Sequence, residues 1–218
     1  MLDAFPELRL AEAKSNNMSN VAMVSAIDLG DVGGPFTCEH NRAKQEVGKR
    51  LLRAAMGLIY ARQTAPPWRG PEPKSVTSMP KDSREDQSSG PEVQVSVKFK
   101  MFSSKGFYRH PFPLSVLSFE ALAAAGNVSY WIPMTMLPPN RGSADSIGFS
   151  VTLWFARTAT GQKNASIVAI RYAYAAFPTG IMHTLEGLPL SPFLINCSVP
   201  LPCNTLGSKC PPPVVAAR

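Results

Sequence analysis

The segment that decides the fold of the N-terminal part of this 218-residue chain is Asp28-Leu-Gly-Asp-Val-Gly-Gly-Pro-Phe-Thr-Cys-Glu-His40-Asn-Arg-Ala-Lys-Gln-Glu-Val-Gly-Lys-Arg-Leu51. The residues before it, Val21-Ala-Met-Val-Ser-Ala-Ile27, are almost all apolar, which is typical of a parallel strand covered on both faces. The segment itself starts with a glycine-rich turn and continues from about Asn41 with helical periodicity. Ligands of open α/β sheets bind beyond the carboxyl ends of the strands, where this turn is expected to place His40.

The periodicity after Asn41 predicts an amphipathic helix. Five apolar residues recur at helical spacing and are expected to face the interior: Ala43, Val47, Leu51, Ala54 and Leu58. Four basic residues fall mostly on the other side and are expected to face solvent: Lys44, Lys49, Arg50 and Arg53.

The position of His40 suits a general base. An imidazole beside a helix N-terminus feels the positive end of the helix dipole, which disfavours the imidazolium form and leaves a ring that accepts a proton. Either Asp28 or Asp31 could orient this ring, as the acid does in a Ser-His-Asp arrangement. The alternative is a capping or solvated loop histidine. Spacing alone decides neither between these two roles nor between the two aspartates.

Several motifs resemble one family of esterases. Residues 5–75 are similar to the end of the catalytic domain of sialate O-acetylesterases, in the SGNH (GDSL-like) hydrolase superfamily. The matching pieces are Leu8-Arg-Leu-Ala-Glu-Ala13, Ala26-Ile-Asp-Leu-Gly-Asp31, Pro35-Phe36, His40 to Leu51 and Arg69-Gly-Pro-Glu-Pro-Lys-Ser75. Two later pieces, Val168-Ala-Ile-Arg-Tyr-Ala-Tyr174 and Leu188-Pro-Leu-Ser-Pro-Phe193, are similar to segments near the end of that family.

The resemblance implies a fold and an activity. It implies that residues 1–64 are the C-terminal fragment of an SGNH flavodoxin-like, three-layer α/β domain in which His40 has the catalytic role of the family histidine. It also implies removal of O-acetyl groups from sialic acids or sialoglycans by Ser-His acyl transfer, without a cofactor or metal, in a lysosomal or secreted protein. Met1-Leu-Asp-Ala-Phe-Pro has neither the basic start nor the apolar core of a signal peptide.

The sequence departs from this family in two places. The acid that often lies three residues before the histidine is replaced by Thr37, so Asp28 and Asp31 remain the candidate acids. The Gly-Gln-Ser-Asn block that carries the nucleophilic serine is not found. Because acyl transfer needs a nucleophile and an oxyanion site beside the base, we expect the serine to come from a missing N-terminal half or from another chain. The alternative is a non-catalytic remnant that binds glycans or another protein.

The second half of the sequence predicts β structure. Residues 65–91 are rich in proline and polar residues and are expected to form a linker. From Glu92 onward, residues 92–218 are expected to form a β-rich, sandwich-like accessory region, since short strands alternate with Pro, Gly and Asn turns. The strand candidates are residues 92–99, 127–133, 146–155 and 166–174, while residues 115–125 fit either a helix or a strand.

Aromatic residues in the predicted strands raise the possibility of sugar stacking. They are Tyr130, Trp131, Trp154, Phe155, Tyr172 and Tyr174. Aromatic residues of strands more often pack in the core. Arg171 lies among apolar residues and needs an acidic or carbonyl partner. We expect a structural salt bridge to the hydrolase part, with a clamp for a sialic acid carboxylate as the alternative.

Composition limits the classes of function. The net charge of +7 is spread thinly, without a Lys/Arg cluster, so nucleic-acid binding is not expected. No apolar stretch is long enough for a membrane span. The cysteines other than Cys38 are Cys197, Cys203 and Cys210, near the C-terminus. Two of these three could form a disulfide, and their spacing does not favour a zinc site. Four sequons would permit glycosylation: Asn17, Asn127, Asn164 and Asn196.

Overall fold

The computed structural model describes residues 4–31, 33–34, 40–60, 66–79, 92–100, 102, 107–108, 119–136, 150–156, 166–179 and 181–200. The N-terminal part contains helix α1 (Ala4–Ala13), two 3-10 turns (Lys14–Asn17 and Ile27–Leu29) and helix α2 (Lys44–Leu58). The strands that follow are β1 (Glu72–Met79), β2 (Glu92–Lys100), β3 (Phe107–Tyr108), β4 (Phe119–Ala125), β5 (Val128–Met136), β6 (Ser150–Ala156), β7 (Ser166–Tyr172), β8 (His183–Thr184) and β9 (Phe193–Pro200).

Seven of the described strands form one antiparallel sheet in the order β1-β2-β6-β5-β4-β7-β9, and β3 pairs with β8. Strand β5 joins two halves of the sheet, because it pairs with β4 along most of its length but with β6 only at Thr135 and Met136. The two edge strands β1 and β9 lie against each other. The prediction of a β-rich region is therefore confirmed. Every described strand pair is antiparallel, so the predicted three-layer α/β fragment is not confirmed.

Alternation of side chains along the strands builds the core. In β2, Val95, Val97 and Phe99 are buried, and in β4 Phe119 and its alternate neighbours are buried in the same way. Aromatic rings pack together in this core, with the centroids of Phe119 in β4 and Tyr172 in β7 4.5 Å apart. The rings of Phe99 and Phe193 pack edge to face at 5.9 Å. The predicted strands at the start of this region and in β5, β6 and β7 are confirmed.

Strands also occur in two segments for which the sequence predicts either an ambiguous structure or a linker. The segment 115–125, which fits either a helix or a strand by sequence, contains strand β4 and turns into β5 at Gly126, whose φ is +59°. Strand β1 lies inside the predicted linker 65–91 and pairs with β2 along its length. Its alternation is hidden by Pro73 and several polar residues, and its partner β2 supplies the hydrogen bonds that stabilise it.

The predicted strand at residues 21–27 is wrong. Residues 21–26 belong to no helix or strand, and Ile27 starts a 3-10 turn. A parallel strand needs hydrogen-bonded neighbours, and the described part of the chain supplies none for this segment. The segment is instead half-buried, and the backbone NH of Met23 donates to Asn16 Oδ1 at 2.8 Å.

Helix α2 is confirmed, but its predicted faces are partly wrong. Arg50 and Ala54 are its buried residues, although Arg50 was expected to face solvent. Leu51, which was expected to be buried, is 51% exposed. The buried side of α2 thus keeps Ala54 of the predicted face but has Arg50 in place of Leu51. Among the described residues, no helix has both the length and the apolar character that a membrane crossing requires.

Candidate functional site

A buried cluster of charged side chains joins the N-terminal part to the sheet. Asp28 comes from the second 3-10 turn, Arg50 from the middle of α2, and His183 from β8. The guanidinium of Arg50 donates two hydrogen bonds to the carboxylate of Asp28, each 2.7 Å long. It also donates to the backbone carbonyl of Ser25 at 2.6 Å. On the other side of the carboxylate, His183 Nε2 lies 2.9 Å from Asp28 Oδ2.

The electrostatics of the cluster favour an ionised Asp28. Burial by itself would raise the pKa of Asp28, but hydrogen bonds from Arg50 and His183 outweigh it and lower this pKa from 3.8 to about 2. Because an ionised carboxylate only accepts hydrogen bonds, His183 Nε2 carries the proton it shares with Asp28. The Arg50 and Asp28 side chains are 4% and 8% exposed, so this is a buried ion pair.

A neighbouring hydrogen bond fixes the segment that carries His183. The backbone NH of Met182 donates to the hydroxyl of Tyr172 at 2.7 Å. Tyr172 is fully buried in the core, and burial raises the pKa of its hydroxyl well above the usual value. Sequence reasoning missed the role of His183 because the residue lies 155 positions from Asp28.

The candidate catalytic residue His40 lies four residues before α2 and is exposed. Both candidate acids bind arginines that follow His40 in the sequence. Asp31 binds Arg42, with Arg42 Nε 2.5 Å from Asp31 Oδ2 and Nη2 3.1 Å from Oδ1. The hydrogen bond from Arg42 lowers the pKa of Asp31. Asp28 binds Arg50 and His183, as described above.

The two candidate acids therefore have different arginine partners. Asp28 forms an ion pair with Arg50 and Asp31 forms one with Arg42, and both arginines follow His40 in the sequence. The catalytic role of His40, and the choice of the acid that orients its ring, stay predictions. Thr37 and Cys38 lie outside the described residues.

A cavity of ≈310 Å³ lies where the N-terminal part meets the sheet. Its walls come from the end of α1 with the following 3-10 turn, the segment 23–25, Arg50, residues 68–73 and residues 188–194. Arg69 Nη2 donates to the backbone carbonyl of Asn16 at 2.6 Å, which ties two of these walls together. His40 is not among the residues that line this cavity.

Arg171 has the acidic partner that the sequence requires, but in a different place. Its guanidinium donates to Glu120 at 2.7 and 3.1 Å. Glu120 is its direct cross-strand neighbour, so the salt bridge lies within the sheet and the expected bridge to the hydrolase part is wrong. The guanidinium also lies 3.9 Å from the ring centre of Trp131 and 4.5 Å from that of Tyr174.

The other aromatic candidates divide between core and surface. Tyr172 is fully buried, and Tyr130 packs against the core. Trp131 and Tyr174 are half-buried and their rings contact the guanidinium of Arg171. The side chains of Trp154 and Phe155 lie outside the described part of the structure.

The described residues contain few side chains suited to thiol chemistry or metal binding. Cys197 carries a free thiol, and burial raises the pKa of this thiol to about 11. Its predicted partners Cys203 and Cys210 lie outside the described residues. Across the ranges that the structure describes, no group of three His, Cys, Asp or Glu side chains is arranged to hold a metal ion.

Comparison with known proteins relates the chain to carbohydrate esterases. It is similar to the sialate O-acetylesterase of Mus musculus, with 25% identity over 205 residues, which is 89% of this chain and 32% of the mouse protein. The enzyme of Rattus norvegicus is 24% identical over 87% of the chain and 32% of its own length. That of Homo sapiens is 24% identical over 88% of the chain and 33% of its own length.

These matches confirm the relation to a C-terminal part of the sialate O-acetylesterase family that the motifs around His40 predict. The chain spans about a third of the length of the curated relatives it matches. No family model matches the sequence.

Proposed function

We propose that this chain is part of a sialate O-acetylesterase-like enzyme, in which His40 is the general base for a serine supplied by another stretch of polypeptide. The proposal rests on two ion pairs whose partners lie on either side of His40 in the sequence. Asp28 and Asp31 are bound by Arg50 and Arg42, which lie on either side of the start of α2. These ion pairs join Asp28 and Asp31 to the segment that follows His40, and His40 itself is exposed.

The proposed chemistry is acyl transfer through an acetyl-enzyme. The imidazole of His40 takes the proton of the serine hydroxyl while the serine oxygen bonds to the acetyl carbonyl carbon of an O-acetylated sialic acid. The bond to the sugar oxygen then breaks, and the imidazolium returns the proton to that oxygen. In the second half, water attacks the acetyl carbonyl carbon while His40 accepts a proton from it. The bond to the serine oxygen then breaks, the imidazolium gives its proton to that oxygen, and the acetyl group leaves as acetic acid, which ionises to acetate. Lysosomal or secreted location belongs to the same proposal.

A complementation experiment tests this role of His40. The purified chain by itself is expected not to release acetate from O-acetylated N-acetylneuraminate. Mixed or co-expressed with the part of the mouse relative that lies outside the 205 matched residues, it is expected to release acetate. In that mixture, H40G should abolish release, and added imidazole should partly restore it, because the free base replaces the lost ring.

The matched control is K49A, which removes an exposed cation of helix α2, the helix that follows His40. This variant should keep the activity of the complemented chain. Full activity of H40G, or the same loss in K49A as in H40G, would contradict the assignment of His40 as the base. Acetate release by the isolated chain would show that it holds a nucleophile that the motifs do not reveal.

A second candidate function is a non-catalytic glycan-binding or interaction remnant. The sheet favours it, because the core cluster of the sheet includes none of the described residues between positions 28 and 60. For this function, the chain should bind immobilised sialoglycans equally well with and without the H40G substitution. It should also fail to release acetate in the complementation mixture.

A further inference from the structure

We propose that His183 of strand β8 is a positioning residue, which fixes Asp28 and Arg50 and through them sets the orientation of His40. The inference rests on the proposed function, because it takes His40 as the general base. It goes further in giving the β-rich region a part in the reaction. His183 is not a catalytic residue in this scheme, since it acts through Asp28.

His183 adds a hydrogen-bond donor to the two that Arg50 supplies to the carboxylate of Asp28. The guanidinium nitrogens of Arg50 donate to Oδ1 and Oδ2, each at 2.7 Å, and His183 Nε2 lies 2.9 Å from Oδ2. The Asp28 side chain is 8% exposed and that of His183 is 21% exposed. Because little water reaches the carboxylate, loss of the His183 donor leaves part of a buried charge unpaired. We expect Asp28 and Arg50 to shift in response.

The segment that carries His183 is fixed to the core of the sheet. The backbone NH of Met182 donates to the hydroxyl of the buried Tyr172 at 2.7 Å. The backbone NH of Leu190 donates to the carbonyl of Met182, also at 2.7 Å. Both Met182 and Leu190 are buried among the residues of the core. His183 therefore holds Asp28 from a rigid support, which is what a positioning residue requires.

The ion pair that His183 supports encloses His40 in the sequence. Asp28 and Arg50 are 22 positions apart, and the second pair, Asp31 with Arg42, is 11 positions apart. His40 lies within both intervals. A shift of Asp28 relative to Arg50 therefore changes the path of the chain that carries His40. Since a misplacement of about 1 Å can cost about a hundredfold in rate, His183 affects the reaction without contacting the reacting atoms.

The first measurement uses the purified chain alone and does not depend on acetate release. H183L removes the donor. In this variant, amide hydrogen exchange in the first turns of α2 should accelerate about tenfold or more, while the amides of β4 and β7 stay protected. The NMR signal of the His40 ring should move in the same variant. H183Q keeps an N–H donor close to the place of Nε2 and should restore both the exchange rates and the signal.

The second measurement uses the complemented chain. H183L should lower kcat about tenfold and leave KM unchanged, because His183 orients the base and does not bind the substrate. H183Q should stay within about threefold of the unaltered kcat. The matched control is R9A, which removes two hydrogen bonds of 2.7 Å between α1 and the carbonyls of Ala175 and Ala176. It loosens the attachment of the N-terminal part away from Asp28, and should keep the unaltered kcat.

Three results would overturn the inference. The first is that H183L leaves either the exchange in α2 or kcat unchanged. The second is that H183Q is impaired as much as H183L, since the lost donor would then not be the cause. The third is the same loss of kcat in R9A as in H183L, which general loosening would explain. If the mixture with the unaltered chain releases no acetate, the proposed function fails instead, and hydrogen exchange in the isolated chain still decides whether His183 positions the segment around His40.

Discussion

The sheet and the N-terminal part of the chain are stabilised in different ways. The sheet buries apolar side chains from both of its halves in one core. Residues 4–60 leave large apolar side chains exposed instead: Leu8, Met18, Leu51, Leu52, Ile59 and Tyr60. Residues 4–60 attach to the later part of the chain through Ile27, which packs against the core, and through hydrogen bonds that involve charged side chains. Arg9 donates to the carbonyls of Ala175 and Ala176 at 2.7 Å, Arg53 to that of Glu186 at 3.2 Å, and Asp28 accepts from His183.

This difference indicates which part of the chain is sensitive to which change. Burial of apolar surface is insensitive to charge, so the core of the sheet should respond mainly to lost volume. Polar attachments depend on both partners being present in the correct ionisation state. The N-terminal part should therefore respond to the loss of single charges and to acid, while substitutions on its apolar surface should matter little.

The largest effect is expected in the core of the sheet. The side chain of Phe119 is 1% exposed and packs against Tyr172 and Phe193. Phe119→Ala should lower the free energy of unfolding by about 3–5 kcal/mol, because it leaves a cavity in the core of the sheet. Chemical denaturation followed by tryptophan fluorescence measures this change. The control Phe119→Leu keeps most of the volume and should cost much less; equal losses would argue against a packed core at this position.

The next largest effect is expected from Arg50. Arg50→Ala leaves the Asp28 carboxylate buried, with a hydrogen bond to His183 still in place. Breaking a buried ion pair from one side costs about 3 kcal/mol or more. The loss should be local, so hydrogen exchange should accelerate in α2 and in the turn at Asp28 while the amides of β4 and β7 stay protected. Arg50→Lys, which keeps the charge but loses the paired hydrogen bonds, should be intermediate.

Uniform acceleration across the sheet in Arg50→Ala would contradict this separation. It would mean that the Asp28 cluster stabilises the whole molecule as one unit. Unchanged exchange in α2 would instead show that the ion pair contributes nothing measurable to the attachment of the helix.

The sequence predicts the sheet better than the N-terminal part for a physical reason. Alternation in β2 is local and reports directly which side chains face the core. The apolar segment 21–27 has the composition of a strand, but a strand exists only where a partner supplies hydrogen bonds. The burial of Arg50 in α2 likewise depends on a partner outside its own segment. Val47, Arg50 and Ala54 share one face at spacings of three and four, and a basic residue on that face signals a buried partner.

The candidate site was predictable in part. His40 and both aspartates lie in one motif, so their proximity in sequence is visible. The pairing of Asp28 with His183 joins residues 155 positions apart, and no local pattern encodes it. The partner of Arg171 could be named only once the register of β4 and β7 was known, since it places Glu120 directly opposite.

A smaller effect is expected from acid. The folded-state pKa of Asp28 is about 2, below the value of 3.8 for an unperturbed carboxyl. A lowered pKa contributes stability that is fully present above about pH 4 and is lost as the pH falls towards 2. For a shift of this size the loss is about 1–2 kcal/mol. Denaturation curves between pH 5 and pH 2 measure it. In the Asp28→Asn variant this part of the pH dependence should disappear; an unchanged curve would assign it to other carboxyl groups.

The smallest effect is expected on the exposed apolar face of α2, and it sharpens the comparison most. Leu52 is 61% exposed although it is a large apolar residue in the middle of a helix. Leu52→Gln keeps the length and helix propensity of the side chain, so the free energy of unfolding should change by less than about 0.5 kcal/mol. The matched core change, Leu153→Gln in β6 at 0% exposure, should prevent stable folding. A loss above about 1 kcal/mol for Leu52→Gln would mean that this face of α2 is covered in the purified protein, for example by a second copy, and a concentration-dependent loss would identify that cover.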